Sequence, residues 1–383
     1  MFPPSYIELS RSALRNNINV LQEEVGSDVR ISGVVKGNAY GHGIEEMVPL
    51  IEEAGIDHIA VYNADEALRV CEVKQERTDV MIMGMIDNEE LFWAIENDVE
   101  MYVFEMDRLE QIVGTAKRVQ KPARIHLQLE TGMNRLGFDR EQLSRKVRFL
   151  KDQWKSLEFM GVCTHFAGAE HIANYFRVTE QFRQYKKMMN YLKRNGLVPQ
   201  YRHVASSAAT MGYPKTRLDM VRIGILQYGF WPSTESFVGY LQGKTDQRGP
   251  LERVISWKTR VMSTKEVRAG EFIGYGNSYM ARQDMKIAAV PVGYADGYSR
   301  SLSNFGRILI NQHRVGVVGT VNMNMLLADI TDVPDTKKGD EVVLIGDQGD
   351  LTISVAAFGE MSDQLNYELL TKLSTSIPRI VVD

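Results

Sequence analysis

The segment GVVKGNAYGHG, residues 33–43, contains four glycines and passes from an apolar run into a polar loop. Lys36 stands at the boundary between the two parts. If the apolar run ISGVV (31–35) is a buried strand, Lys36 lies at its carboxyl end, where barrels of parallel strands carry their catalytic groups. A lysine at the end of a strand is more commonly a solvated residue. The rest of the chain must therefore decide whether Lys36 takes part in chemistry.

Eight short apolar runs alternate with segments of helical periodicity between residue 30 and about residue 230. The runs are rich in Val, Ile and Met, which is typical of strands buried on both faces. Between them, apolar residues recur on one helical face, as Leu109, Ile112 and Ala116 do. Eight such units favour a (β/α)8 TIM-like barrel, and an open doubly wound sheet is the alternative. The predicted strands are 31–35, 58–62, 80–85, 100–104, 124–129, 159–166, 201–206 and 220–226.

The pattern changes after about residue 240, where short alternating runs are joined by Gly, Asn and Asp turns. Only the stretch of about 354–373 has helical periodicity there, so we predict a C-terminal, mostly β domain. The segment SYIEL (5–9) and the closing IPRIVVD (377–383) are candidates for further strands of this domain. We therefore predict a barrel over residues 9–238 and a β domain over residues 239–383 together with strand 5–9.

Composition and charge exclude several classes of partner. The 383 residues are 44% hydrophobic and 25% charged, with a net charge of −4 and no long basic block, which argues against nucleic acid and anionic membrane surfaces. No apolar stretch approaches the roughly 20 residues of a membrane span, and the first residues do not resemble a secretion signal. Cys71 and Cys163 stand among apolar residues, so we expect reduced core thiols and a cytoplasmic protein.

Polar side chains also stand in or after four other predicted strands, and all of them would lie at the same end of a barrel. They are Arg135 after the fifth strand, His165 after the sixth, Ser206 and Ser207 after the seventh, and Arg222 and Gly224 in the eighth. A pyridoxal phosphate site needs a lysine, a phosphate cradle, a partner for the ring nitrogen and a second acid/base group. Each residue alone is a weak signal, because a serine after a strand is most often a helix cap. Together they are consistent with such a site.

The lysine segment VVKGNAYGHG (34–43) closely resembles the cofactor-lysine motif of the alanine racemase family, the pyridoxal-phosphate barrel enzymes. Further motifs follow in the family's order almost to the end of the chain. They are ETGMNRLGF (130–138), THFA (164–167), ASSAA (205–209), VRIGILQYG (221–229), IGYGNSY (273–279), VGYADGYSR (292–300), VGTVNMNM (318–325) and IPRIV (377–381). The resemblance implies racemisation of a small amino acid, L-alanine to and from D-alanine, with pyridoxal 5'-phosphate and no metal ion.

The resemblance implies two catalytic residues. Lys36 matches the family's Schiff-base lysine, which also acts as the base on one face of the substrate Cα. Tyr275 matches the acid/base group of the opposite face, and two groups are needed because the proton leaves one face and returns to the other. The alternative for Tyr275 is a buried core tyrosine. Gly274 and Gly276 argue against this alternative, because glycines allow the backbone to approach a ligand.

The resemblance also implies the residues that contact the cofactor. Arg222 matches the arginine that faces the pyridine nitrogen, and its permanently protonated guanidinium leaves that nitrogen unprotonated. This arrangement weakens the ring as an electron sink. His165 would lie between Arg222 and Tyr275 and influence the phenol. The residues that match the family's phosphate contacts are Tyr40, Ser207, Thr375 and the backbone of Gly224 and Ile225.

Substrate contacts and assembly are implied in the same way. Arg135 and the Met323 backbone match the groups that bind the substrate carboxylate, and Tyr294 matches a tyrosine at the active-site entrance. In this family Tyr275, Tyr294 and Met323 would come from the β domain of the partner subunit. We therefore expect a head-to-tail homodimer with shared active sites.

Three positions depart from the family's pattern. Gln128 stands where many relatives carry a carbamylated lysine; it brings no charge, so Arg135 could instead depend on a bound anion. Asn324 replaces an aspartate near the substrate entrance. Thr375 replaces a tyrosine that borders the substrate pocket, so we expect a roomier and more polar pocket.

Other functions stay open at this point. The substrate could be serine or a broader set of amino acids. A non-catalytic cofactor-binding barrel is a second possibility, although such proteins usually lack the β domain and the opposite-face tyrosine. A decarboxylase of the same architecture is a third, although those enzymes typically place a carboxylate at the ring nitrogen and a cysteine opposite the lysine.

Overall fold

The computed structural model describes residues 4–242, 244, 245, 248–356, 358 and 366–383, which divide into two compact units. The barrel unit holds Ala13–Gly37 and Met47–Glu252. The β unit holds the residues up to Ser12, the segment Asn38–Glu46 and the chain from Arg253 onward. The chain therefore leaves the barrel unit one residue after Lys36 and returns to it at Met47.

Eight parallel strands of the described chain form a nearly closed barrel, as predicted. The first of the eight pairs with the last, so that Gly33 lies opposite Ile223. The seventh and eighth are linked by a bridge between Ser206 and Arg222. After β1 (Ser5–Ser10), which belongs to the β unit, the barrel strands are β2 (Arg30–Val34), β3 (His58–Val61), β4 (Asp79–Ile82), β5 (Glu100–Val103), β6 (Ala123–Gln128), β7 (Leu157–Cys163), β8 (Tyr201–His203) and β9 (Met220–Ile223).

Helices connect these strands. They are α1 (Arg11–Val25), α2 (Lys36–Tyr40), α3 (Ile44–Glu53), α4 (Ala64–Val73), α5 (Leu91–Glu96), α6 (Met106–Val119), α7 (Arg140–Asp152), α8 (Tyr175–Arg194), α9 (Ser207–Gly212) and α10 (Thr234–Leu241). The apolar face predicted for α6 is buried, with Leu109 and Ile112 fully enclosed. Asp139 begins α7 with a reciprocal capping box, in which its side chain and that of Gln142 accept each other's backbone N–H groups. Sequence periodicity and capping therefore agree with the observed helices.

Lys36 begins a single turn, α2, that winds in the left-handed sense. Residues 37–40 all have φ between 51° and 64°. Non-glycine residues rarely adopt this conformation, because Cβ approaches the following carbonyl oxygen at a cost of about 1–2 kcal/mol per residue. At Gly41, where φ is 81°, a Cβ atom would lie 1.9 Å from the Leu370 carbonyl oxygen, so only glycine fits.

The β unit contains two sheets within the described chain, so the prediction of a mostly β C-terminal part is confirmed. The larger sheet has the order β14-β13-β16-β10-β1-β18, with β17 paired to β16, and the smaller has the order β11-β12-β15. These elements are β10 (Ile255–Arg260), β11 (Ser263–Val267), β12 (Met285–Val290), β13 (Arg307–Ile310), β14 (His313–Gly316), β15 (Leu326–Asp329), β16 (Glu341–Gln348), β17 (Leu351–Ile353), α11 (Asn366–Thr371) and β18 (Arg379–Val382).

Both ends of the chain join the larger sheet. The β1 strand pairs antiparallel with β10, and Leu9 lies opposite Val381 in a parallel pairing with β18. The Trp257 indole donates a hydrogen bond of 2.7 Å to the Ser5 hydroxyl in the core. Of the predicted helical stretch 354–373, α11 is described, whereas residues 357 and 359–365 lie outside the described residues.

The structure also bears on the thiols and on membrane spans. Cys163 is buried in β7, whereas Cys71 is only half-buried on α4, and both are free thiols. None of the helices described here combines the length and the apolar character that crossing a bilayer requires.

Candidate active site

Lys36 lies at the rim of the barrel, two residues beyond the end of β2. Desolvation lowers the pKa of the Lys36 amine, and the positive charges of Arg135 and Arg222 lower it further. The Glu66 carboxylate acts in the opposite direction. A lowered pKa increases the neutral fraction of the amine, which is the form that acts as nucleophile and base.

Glu66, which the sequence motifs did not indicate, holds the backbone next to Lys36. One carboxylate oxygen, Oε1, accepts from the Gly37 N–H at 2.6 Å, and Oε2 accepts from the Tyr62 N–H at 2.9 Å. Asn63 caps α4 by accepting from the Glu66 N–H. The pattern Asn-Ala-Asp-Glu at 63–66 is that of a helix start and could have drawn attention to this carboxylate.

Arg222 on β9 projects into the barrel and is almost completely buried. One terminal nitrogen, NH1, donates to His203 Nδ1 at 2.8 Å and to the His203 carbonyl oxygen at 2.9 Å. The other, NH2, donates to the carbonyl oxygens of Thr164 at 3.0 Å and Val204 at 3.4 Å. No described residue accepts from its Nε–H. The barrel thus fixes the guanidinium and leaves the Nε–H as its remaining donor.

His165 follows β7 at the same end of the barrel. Burial, together with the positive charges of Arg222, Arg135 and Lys36, lowers the pKa of its imidazole to about 3. The His165 backbone is held by Gln181, whose amide nitrogen donates to the His165 carbonyl oxygen at 3.0 Å. The four predicted residues Lys36, Arg135, His165 and Arg222 therefore share one electrostatic environment, in which His165 is neutral at physiological pH.

The predicted phosphate contacts in the barrel unit also lie together. The Gly224 N–H donates to the Ser207 hydroxyl at 2.9 Å, which joins the start of α9 to the end of β9. Ile225 begins a short 3-10 helix, and none of the described residues accepts from its N–H. Backbone amides at the start of helical turns favour anions. This part of the barrel therefore fits a phosphate group.

Arg135 lies on a loop that Glu130 organises. The Glu130 carboxylate accepts backbone N–H groups of Met133 at 2.7 Å and Arg135 at 3.2 Å. The Gln128 side chain donates to the Leu136 carbonyl oxygen at 3.3 Å and so braces the same loop. Within the described residues, no side chain forms a hydrogen bond with the Arg135 guanidinium. The guanidinium is therefore available to an anionic ligand.

Tyr275 lies in the β unit, at the tip of a hairpin. The Ile273 N–H donates to the Tyr279 carbonyl oxygen at 2.9 Å and closes the hairpin. Gly274 and Gly276 have φ of 80° and 76°, a conformation that favours glycine. Tyr275 is 79% exposed, so it is not a buried core tyrosine.

Two further predicted residues lie on neighbouring segments of the β unit. The Tyr294 N–H donates to the Asn322 carbonyl oxygen at 3.0 Å, and the Met323 carbonyl oxygen accepts from the Ala295 N–H at 2.9 Å. Thr320, on the same loop as Met323, donates through its hydroxyl to the Tyr275 carbonyl oxygen at 3.3 Å. The side chains of Tyr294 and Met323 are both exposed.

The last two predicted cofactor contacts, Tyr40 and Thr375, also belong to the β unit. The Tyr40 ring packs edge-to-face against Tyr367, with 6.1 Å between the ring centroids. Thr375 is exposed, and the N–H of the preceding Ser374 donates to the Asp296 carbonyl oxygen at 3.2 Å. Thr375 therefore lies on a segment that contacts the turn carrying Tyr294.

The fold and the site define a class: an enzyme with a (β/α)8 barrel, a lysine beyond the first barrel strand and an attached β domain. The chain matches the family model for the alanine racemase N-terminal domain over residues 9–232. It matches the model for the alanine racemase C-terminal domain over residues 254–381. The chain therefore belongs to the alanine racemase family, as its motifs predicted, and it is an isomerase of the racemase class.

Individual relatives agree with this assignment over the full length. The chain is 34% identical to the alanine racemase of Leptospira interrogans serovar copenhageni, over 99% of this chain and 96% of the relative. It is also 34% identical to that of Methanococcus maripaludis, over 98% of each chain. The crystal structure of alanine racemase from Bacillus anthracis with bound L-Ala-P superposes with a TM-score of 0.90, at 32% identity, over 100% of this chain and 96% of that one.

Proposed function

We propose that this protein interconverts L-alanine and D-alanine with pyridoxal 5'-phosphate as cofactor. The observation that carries the proposal is the shared environment of Lys36, Arg135, His165 and Arg222 in a chain of the alanine racemase family. The two permanent cations suit a substrate that carries a carboxylate. The amine with a lowered pKa and the neutral imidazole suit a reaction that moves a proton and inverts the configuration at Cα.

The residues present fit the cofactor. Lys36 would hold its aldehyde carbon covalently, and the Arg222 Nε–H would donate to the ring nitrogen. Because a guanidinium is always protonated, Arg222 would leave that nitrogen as an acceptor. When bound, the cofactor stabilises the negative charge that develops on the substrate Cα. The residues that would hold the phosphate are Tyr40, Ser207, Gly224, Ile225 and Thr375.

The proton moves between two protein groups on opposite faces of the substrate. Lys36 Nζ removes or returns the proton on one face, and its lowered pKa favours the neutral form that this role needs. The Tyr275 hydroxyl does so on the other face. Arg135 and the Met323 backbone bind the substrate carboxylate, and Tyr294 lines the entrance.

We also propose that the active unit is a head-to-tail homodimer. Tyr275, Tyr294 and Met323 are exposed on neighbouring segments of one β unit, which supports their use by a second copy of the chain. The rest of the proposal is a barrel domain over residues 9–238, a β domain over residues 239–383 with strand 5–9, and a cytoplasmic location without nucleic-acid or membrane partners.

Serine is the second candidate substrate. Thr375 is exposed at a position where the family resemblance implies a tyrosine, and its hydroxyl could bind the side-chain oxygen of serine. The exposed Tyr275 and the arginine at position 222 argue against the other two possibilities, a non-catalytic barrel and a decarboxylase.

A racemisation assay with the purified protein and added pyridoxal phosphate tests the proposal. L-Ala, L-Ser, L-Lys and L-Glu are offered separately, and the D-enantiomers are measured by chiral chromatography. We expect D-Ala to form fastest, D-Ser to form at a measurable rate, and activity to vanish when the cofactor is removed. Formation of amines with loss of CO₂ would identify a decarboxylase, and the absence of any product would overturn the proposal.

A further inference from the structure

A chain of buried polar contacts crosses the barrel interior and ends at Arg222. Glu100 Oε2 lies 3.1 Å from His58 Nε2 and 2.6 Å from His126 Nε2. His126 Nδ1 lies 2.8 Å from His203 Nε2, and His203 Nδ1 lies 2.8 Å from Arg222 NH1. The carboxylate and the three imidazoles are all fully buried. Four strands of the barrel, β3, β5, β6 and β8, each supply one of these residues.

Glu100 at one end of this series of contacts and Arg222 at the other impose the same direction on its hydrogen bonds. An ionised carboxylate only accepts, and a guanidinium only donates. His126 therefore donates to Glu100 through Nε2–H, and its Nδ1 accepts from the Nε2–H of His203. The remaining His203 nitrogen, Nδ1, then accepts from Arg222. Burial lowers the pKa of both His126 and His203, which agrees with neutral imidazoles.

We propose that Glu100 is a positioning residue for Arg222. The carboxylate fixes the tautomers of His126 and His203, so that an imidazole nitrogen accepts from Arg222 NH1 and the Arg222 Nε–H stays the donor that would serve the cofactor. The role of Arg222 toward the cofactor rests on the proposed function. Two neutral rings separate the Glu100 carboxylate from the Arg222 guanidinium. Arg222 is therefore held in orientation without a negative charge in direct contact with it.

Arg124 makes this direction testable with one isosteric substitution. Its NH2 forms an ion pair with Glu100 Oε1 at 2.9 Å, without the alignment of a hydrogen bond, whereas Oε2 is the oxygen that contacts the histidines. In Glu100→Gln, we expect the amide oxygen to face Arg124, because the positive guanidinium attracts the amide oxygen and offers only donors to the amide NH₂. The new amide NH₂ then faces His126 and donates to its Nε2. His126 and His203 would both have to carry their proton on Nδ1, and His203 would present a donor to the donor on Arg222.

His58 provides a matched control, because it contacts the same Glu100 oxygen as His126 but does not lead to Arg222. Its Nδ1 lies 2.8 Å from the Ser32 hydroxyl, which can donate or accept, so this branch tolerates either direction. In His58→Gln, the amide nitrogen can donate to Glu100 while the amide oxygen accepts from Ser32. This variant changes a buried histidine of the same cluster and leaves the branch to Arg222 intact.

The primary measurement is ¹⁵N NMR of the holoenzyme labelled at its seven histidines. We expect Nε2–H tautomers for His126 and His203 in the wild type and in His58→Gln, and Nδ1–H tautomers in Glu100→Gln. We expect kcat for racemisation to fall about 10- to 100-fold in Glu100→Gln, the range for a lost hydrogen bond to a charged group, and to change less than about twofold in His58→Gln. Wild-type tautomers in Glu100→Gln would overturn the proposal.

A rescue experiment separates positioning from general damage to the core. In His203→Asn, the amide oxygen can take the place of Nδ1 beside Arg222, and it cannot change tautomer. Glu100→Gln should then lower kcat less than about threefold in that background, whereas an equal loss in both backgrounds would contradict the proposal. If Glu100→Gln does not fold, the wild-type spectrum decides, because Nδ1–H on His203 would refute the chain. A wild-type protein that racemises nothing would refute the proposed function alone, since the tautomers are read without turnover.

Discussion

The rim of the barrel around Lys36 and the hairpin that carries Tyr275 differ in how many neighbouring groups their own unit places around the reactive side chain. Lys36 lies among Arg135, Arg222 and Glu66, and these charges act on its amine together with desolvation. Tyr275 lies at a glycine-flanked tip and is 79% exposed. The barrel thus sets the reactivity of its group within one unit. The β unit presents its group on a surface, where a second chain can supply the surroundings.

The backbone next to Lys36 and the backbone next to Tyr275 are held in different ways. Lys36 follows a buried strand, and Glu66 Oε1 holds the next peptide by accepting from Gly37 at 2.6 Å. The Tyr275 hairpin is closed by backbone hydrogen bonds, and the Thr320 hydroxyl contacts the Tyr275 carbonyl oxygen rather than its phenol. Substitutions at the two sites should therefore fail in different ways.

The largest expected effect comes from Lys36→Ala. This change removes both the covalent attachment of the cofactor and one of the two proton carriers, so we expect racemisation to fall by about 10⁴-fold or more. The measurement is the rate of D-alanine formation, together with borohydride treatment of the wild type, which should leave the reduced cofactor on Lys36. Changing the exposed Lys151 at the end of α7 to alanine is the control and should leave the rate unchanged. Reduced cofactor on another lysine would contradict the assignment.

Tyr275→Phe should be the next most severe change. It removes one proton carrier and retains the cofactor, so we expect racemisation to fall about 10²- to 10⁴-fold while visible cofactor absorbance persists. In D₂O, one enantiomer of alanine should still exchange its Cα hydrogen, because Lys36 continues to act on its own face. Tyr279→Phe, on the same hairpin, is the matched control and should change the rate less than about twofold. Near wild-type racemisation of both enantiomers by Tyr275→Phe would disprove the two-group mechanism.

A pH experiment tests the electrostatic environment of the barrel rim without an activity assay. The pKa of His165 is lowered to about 3 in the folded protein, whereas an unfolded chain takes up this proton near pH 6.5. The folded state therefore loses stability as pH falls from about 6.5 toward 3. His165→Gln should reduce the loss of unfolding free energy between pH 7 and pH 5 by up to about 2 kcal/mol, measured by urea denaturation at both values. An unchanged pH dependence would mean that His165 is not held neutral.

The smallest expected effect concerns substrate preference at Thr375. If its hydroxyl binds the side chain of serine, Thr375→Val should lower kcat/KM for serine about tenfold and leave alanine nearly unchanged. Thr375→Tyr introduces the residue that the family resemblance implies at this position and should shift preference toward alanine. The alanine-to-serine ratio of kcat/KM in each variant is compared with that of the wild type in one assay series. Equal alanine-to-serine ratios in all three proteins would show that position 375 does not set specificity.

Much of the fold could be predicted from local pattern. The run HIAVY at 58–62 became β3 (His58–Val61), and the apolar face of α6 proved to be buried. These predictions succeeded because strand and helix periodicities are local properties of the chain. The seventh run, 201–206, was less well predicted, since β8 covers only Tyr201–His203 and the following residues lead into α9.

The buried chain from Glu100 to Arg222 was not predicted, although a signal was present. His58 and Glu100 begin their strands and His126 and His203 stand inside or at the end of theirs, and an ionisable residue in a strand buried on both faces needs a partner. Nothing in the local pattern says which partner, because the four residues are 26 to 77 positions apart where they contact one another. Closure of the barrel brings them together.

The sequence by itself determined the alternation of strands and helices, the lysine beyond the first barrel strand and the motifs that define the family. These depend on side-chain type and spacing, which are read without knowing what lies opposite. Only the tertiary structure decided the left-handed turn after Lys36, the lowered pKa values of Lys36 and His165, and the direction of the hydrogen bonds that reach Arg222. Each of these depends on groups that are distant in the chain and adjacent in space, where burial strengthens electrostatic interactions and leaves each polar group a single set of partners.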